Sequence, residues 1–205
     1  MFQTARWHMV WDSGRLFLLC NIILYTSLES GPCLPLRVYN GVGSMNDLPP
    51  VARALTEMEI PYRLFVHAGP VHSLEQAARE RGQQPDQVIR SIVFRVGKAE
   101  FLMALMAGER QIAWPALRRY LGQSRLTMAT EDEVRSVTGY ERGAVAPFGL
   151  PQPLRILADP SVFMPEEISL GSGLRGTAII LTSNDLRRAL GNVEIIDLSG
   201  APEDR

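Results

Sequence analysis

Residues 88–96 read VIRSIVFRV, Gly97 and Lys98 follow, and residues 99–107 read AEFLMALMA. Two runs of β-branched and apolar residues on either side of a Gly-Lys turn form a strong hairpin signal, and they place that hairpin at the centre of a sheet.

On both sides of the hairpin, helical and extended signals alternate. Asn46 and Asp47 precede prolines at the first turn of a helix in which Val51, Leu55 and Met58 recur at helical spacing. YRLFVH (62–67) reads as a strand, and Ser73 with Gln76 forms a capping box for a helix that ends at Gly82. After the hairpin, WPALRRYLG (114–122) has proline inside its start and glycine past its end, and Thr130 with Glu133 is a second capping box. Residues 154–157, 167–170 and 177–181 read as strands, after which Ser183 caps NDLRRALG. The sum is an α+β domain in which hairpin-linked strands dominate and helices lie outside.

Residues 1–44 differ from the rest. They hold Trp7, Trp11, both cysteines and an apolar run from Leu16 to Tyr25. That run is well short of the ~20 residues that span a bilayer, and no clean small-residue cleavage site follows it. The expectation is an extension over 1–44, disordered or upstream of the native start, and a functional domain over 45–205. A net charge of −1 gives no general basic field, so any contact with nucleic acid is local. Cys20 and Cys33 form no CxxC pair, and the three histidines are scattered, which speaks against a zinc site and gives no Ser/His/Asp order.

Three stretches remain as site candidates. GYERGAVAPFGLP (139–151) has no titratable, hydroxyl or amide side chain between Gly143 and Pro151. It is either a surface turn or a place where bare backbone approaches a ligand, a role in which a methyl added at Gly143 would intrude. GSGLRG (171–176) lies between two strands; it is a hairpin turn, or it faces the first loop and lends Ser172 and neighbouring amides to a common pocket. Arg90 shares a strand face with Val88, Ile92, Phe94 and Val96, and either snorkels outward or points into a pocket as a phosphate or carboxylate partner. His67 and His72 sit by a strand end and a helix cap and read as structural.

Taken in order, DQVIRSIVFRVGKAEFLMALMAGERQIAWPALRRYLG, TGYERGAVAPFGLP and ISLGSGLRG resemble the YbaK and prolyl-tRNA synthetase-associated domain family of aminoacyl-tRNA deacylases. The resemblance runs from about Met45 to Leu190 and implies a mixed, mainly antiparallel, barrel-like sheet flanked by short helices. It implies hydrolysis of the ester joining a wrong, small amino acid to the terminal adenosine of tRNA, in trans and in the cytoplasm, without metal, cofactor or membrane. Loop main-chain groups place the water and the carbonyl, so the implied catalytic set is Gly143, Ala144, Val145 and Arg90. Ala146, Pro147, Ser91, Gly171, Ser172 and Gly173 are the implied substrate contacts. The implied partner is the acceptor end of aminoacyl-tRNA, with an aminoacyl-tRNA synthetase as a further candidate. Arg90 stands where the family typically has lysine, Ser91 where threonine is common, and Ala178 where members acting on cysteinyl-tRNA carry an acid. A non-catalytic aminoacyl-tRNA binder, or an ester hydrolase unrelated to tRNA, are the alternatives.

Overall fold

The computed structural model describes residues 47–199 and, nearer the N-terminus, two short strands, β1 (Met9–Asp12) and β2 (Arg15–Leu18). The chain divides into two compact units, Met1–Pro35 and Leu36–Arg205. In the first, β1 and β2 pair antiparallel; the rest of the expectation for 1–44 falls outside the described residues.

The second unit runs α1 (Pro50–Glu57), β3 (Arg63–Val66), α2 (Leu74–Arg81), β4 (Ile89–Val96), β5 (Glu100–Ala107), α3 (Trp114–Leu121), β6 (Leu126–Met128), α4 (Glu131–Thr138), β7 (Arg155–Ala158), β8 (Glu167–Gly171), β9 (Thr177–Thr182), α5 (Ser183–Leu190) and β10 (Glu194–Ile195). One sheet has the order β10-β7-β5-β4-β6 and the other β3-β9-β8. A parallel bridge between Val88 and Ser169 joins them at the head of β4. Among the described strands, only the β5–β7 and β7–β10 pairs are parallel, so the architecture is mixed and mainly antiparallel, with short helices around it.

Strand β5 reads as continuously apolar because it is buried on both faces. Met103, Leu105 and Ala107 enter one core with Ile168, Leu170 and Ile179, while Leu102, Ala104 and Met106 enter another beneath Leu117 of α3. Alternation on β4 sends Ile89 and Val93 to the first core and Phe94 and Val96 to the second.

Local signals set most boundaries, with four corrections. Val96 pairs with Glu100, so the hairpin loop contains Ala99 as well as Gly97 and Lys98. Helix α1 is entered through extended Pro49 with no side-chain cap, so Asp47 does not cap it; Asn46 lies outside the described residues. Helix α5 is capped by Thr182, whose Oγ1 accepts from the Asp185 amide at 3.0 Å, because Ser183 is already helical. The Ser73 cap of α2 is one-sided: Ser73 Oγ accepts from the Gln76 amide, while Gln76 Oε1 accepts from the His72 amide. No helix among the described residues is long and apolar enough to cross a membrane.

Candidate active site

The glycine loop is delivered by α4 and pinned at both ends. Thr130 and Glu133 close a reciprocal capping box at the start of α4, and Gly139 ends the helix at φ 76°. The next residue, Tyr140, is buried and shares its hydroxyl proton between the carbonyls of Phe148 (2.7 Å) and Gly149 (2.8 Å). Burial pushes this phenol up to about 12, so it stays a donor at any working pH. Within the loop, the Ala144 amide donates to Glu141 O at 3.0 Å and Ala144 O accepts from the Gly173 amide at 2.9 Å.

Two glycines explain how the loop seats on β8. A Cβ at Gly171 would lie 2.5 Å from Ala144 O and 2.6 Å from Val145 O, so the strand and loop backbones touch where a methyl has no room. At Gly143 a Cβ would meet nothing within 4 Å; that glycine is required by its φ of +90°, not by crowding. The expected intrusion therefore belongs to Gly171.

Between the loop, the head of β4, the end of β8 and helices α2 and α4 lies a cavity of about 1140 Å³. Of the residues expected at a site, Gly143, Val145, Arg90, Ser91 and Gly171 line it. Ala144, Ala146 and Pro147 are buried behind the loop face and do not. Ser172 and Gly173 are also outside the lining: the Ser172 hydroxyl turns into its own hairpin, donating to Leu174 O at 3.0 Å, and the Gly173 amide is spent on Ala144. The main-chain amides of Gly143 and Val145 make no hydrogen bond to protein among the described residues. Both residues line the cavity, as does Ser91, whose buried hydroxyl has no partner.

The charge of the lining departs from that of the chain. Arg81, Arg90, Arg142 and Arg175 line the cavity against one carboxylate, Glu131, which sits 3.6 Å from Arg142. In a chain of net charge −1, this concentrates cationic groups at one place. Arg90 is half-buried: burial lowers its pKa while Glu109 opposes the shift. One terminal nitrogen donates to Arg110 O, and its Nε is buried without a partner. By alternation its side chain leaves β4 on the face of Phe94, opposite that of Ile89 and Val93.

A polar chain occupies the far wall. Glu80 Oε2 accepts from His67 Nδ1 at 2.5 Å, which leaves His67 Nε2 to accept from Arg81 Nε at 3.3 Å and Nη2 at 3.0 Å. Arg81 Nη1 donates to the buried Ser169 Oγ at 2.8 Å. His67 is therefore held in a network rather than standing alone, and Arg81 was not among the expected site residues. Its sequence signal is its spacing: Arg81 falls four residues after Ala77 and three after Ala78, on the buried face of α2. Among the described residues, no cluster of three or more His, Cys, Asp or Glu side chains is arranged to hold a metal.

Similarity to known proteins meets this geometry. A proline–tRNA ligase of Aquifex aeolicus is 28% identical over 98 residues, 48% of this chain and 17% of that protein, so the chain spans under a fifth of the ligase's length. The multifunctional Ser/Thr-tRNA deacylase ProXp-y of Escherichia coli is 28% identical over 138 residues, 65% of this chain and 82% of that protein. A solved candidate trans-editing enzyme for prolyl tRNA synthetase superposes with a TM-score of 0.68 at 24% identity, covering 78% of this chain and 100% of that one, which establishes the fold. Residues 68–189, from the strand β3 exit to α5, match the profile of the aminoacyl-tRNA editing domain, and the chain belongs to that family.

Proposed function

We propose that the chain is a trans-editing aminoacyl-tRNA deacylase that hydrolyses the ester of a small mischarged amino acid in the cytoplasm. The observation that carries this reading is the pair of amides at Gly143 and Val145, unpartnered among the described residues, on two residues that line a cationic cavity together with Ser91. In the proposed step, water oxygen bonds to the ester carbonyl carbon, the bond from that carbon to the ribose oxygen breaks, and the water proton ends on the ribose hydroxyl. Negative charge gathers on the carbonyl oxygen in the transition state, and fixed N–H dipoles aimed there lower the barrier without reorganising. Holding the water against the same loop removes the entropic cost of bringing it in. Ser91 contacts the aminoacyl group, and Arg90 holds the terminal adenosine's phosphate.

The test is a panel of tRNA-Pro, tRNA-Cys, tRNA-Ala, tRNA-Ser and tRNA-Thr carrying cognate and noncognate amino acids. Serine and threonine come first, because the E. coli relative is named for them. Accelerated release from at least one is expected, and no release from any overturns the reading. The tie between Arg90 and Arg110 O favours one rival, a binder that has lost turnover. That rival requires wild type to bind charged tRNA without cleaving it and Arg90→Lys to restore hydrolysis.

A further inference from the structure

Arg81 is the most enclosed cation of the cavity wall, and no carboxylate among the described residues lies within ion-pair distance of it. Its nearest countercharge, Glu80, is one imidazole away across His67. Burial pulls its pKa down to about 10, with Glu80 opposing, so the guanidinium remains charged at neutral pH. A guanidinium has five N–H groups. Three are spent here, two on His67 Nε2 and one on Ser169 Oγ, and all three go to neutral acceptors. One N–H on each terminal nitrogen is left.

The surroundings make those two donors strong. Ala77, Val88 and Leu170 line the same cavity, and Arg81 is itself largely buried, so the charge is poorly screened. His72 and the start of α2 at Ser73 and Leu74 also face the cavity and add no negative charge. A guanidinium fork matches an oxyanion that offers two oxygens. Four arginines against one glutamate exceed what a single carboxylate would balance, which favours a phosphate-bearing ligand.

We infer that Arg81, oriented by His67 and Ser169, forms a phosphate subsite on the wall of the cavity, separate from the station of Arg90. The source of the phosphate, a nucleotide at the 3′ end of tRNA, rests on the proposed deacylase reading; the subsite itself does not.

The full chain is titrated with adenosine, AMP and inorganic phosphate, following affinity and the Arg81 Nε–H resonance. AMP is expected to bind about tenfold more tightly than adenosine, the scale of a charge-assisted hydrogen bond, and to move the Arg81 resonance. In Arg81→Gln that advantage is expected to vanish while adenosine binding stays. Competition of AMP by millimolar phosphate alone would identify free phosphate as a sufficient ligand, and its absence would assign the site to nucleotides; both support the subsite. Equal affinity for AMP and adenosine in wild type, or an undiminished advantage in Arg81→Gln, overturns it. Should Arg81→Gln fail to fold, an Arg81 resonance in wild type that ignores AMP is the overturning result. An Arg81-dependent AMP preference without cleavage of any charged tRNA would sink the deacylase reading and leave the subsite standing, and the reverse pattern would do the opposite.

Discussion

Gly143 and Gly171 serve the same site for different physical reasons, and this separates two mutations that look alike on paper. An alanine at Gly143 meets open space but inherits a φ of +90°, a conformation that costs an L-residue about 1–2 kcal/mol. An alanine at Gly171 drives a methyl to 2.5 Å from Ala144 O and 2.6 Å from Val145 O, contacts that backbone cannot yield cheaply. Gly171→Ala is expected to cost about 1–3 kcal/mol and to push the loop off β8, with deacylation falling more than tenfold. Gly143→Ala is expected to lower stability less. Urea unfolding paired with single-turnover deacylation reads both effects; a Gly171→Ala protein with wild-type midpoint and rate would show that the loop does not depend on that contact. Reasoning from sequence found both glycines but assigned crowding to Gly143, because the partner of a close backbone approach is a tertiary fact. It placed Ser172 at the site for a similar reason: a hydroxyl beside glycines looks available until its own turn is seen to use it.

At the scale of elements, the legible features are those whose physics is local. The Thr130–Glu133 capping box, the glycine stops at Gly82 and Gly122 and the central hairpin all form from neighbours in sequence. Strands β6 and β10 were not legible, since each is three residues or fewer and exists only because a partner strand supplies its hydrogen bonds. Helix α4 delivers the loop, so its cap has a functional consequence: Thr130→Ala is expected to lower stability by about 1 kcal/mol, measured as a shift in urea midpoint at unchanged m-value. The β7–β10 edge carries a pH-dependent element of its own. Arg155 donates to Glu194 at 2.8 and 2.7 Å and Tyr120 donates at 2.8 Å, and these bonds, Arg155 first, pull the Glu194 carboxyl down to about 2. A carboxyl lowered on folding stabilises above its ordinary pKa near 4.5, and that contribution is lost as pH falls toward about 2. Glu194 is partly exposed, so the contribution is small and screened by salt. Thermal melts should show wild type above Glu194→Gln at pH 6 and the two converging by pH 2; a gap that persists at pH 2 would mean that the carboxylate's charge is not its source.

At the scale of the whole molecule, the relevant contrast is between a chain of net charge −1 and a cavity lined by four arginines and one glutamate. A protein that binds nucleic acid over a broad basic face releases many counterions and loses affinity steeply with salt. Here four arginines line one opening, and two of them, Arg81 and Arg90, are already committed to neutral protein acceptors by some of their donors. Single-stranded nucleic acid contributes about −0.7 to the logarithmic salt slope for each phosphate neutralised, so one to four contacts correspond to slopes of about −1 to −3. We expect kcat/KM on a charged tRNA to fall with that shallow slope between low and physiological salt, and Arg81→Gln to flatten it by less than one unit. A slope near zero would mean that the cavity arginines do not meet phosphates at all. A slope steeper than about −5 would require a second, wider binding face beyond the cavity.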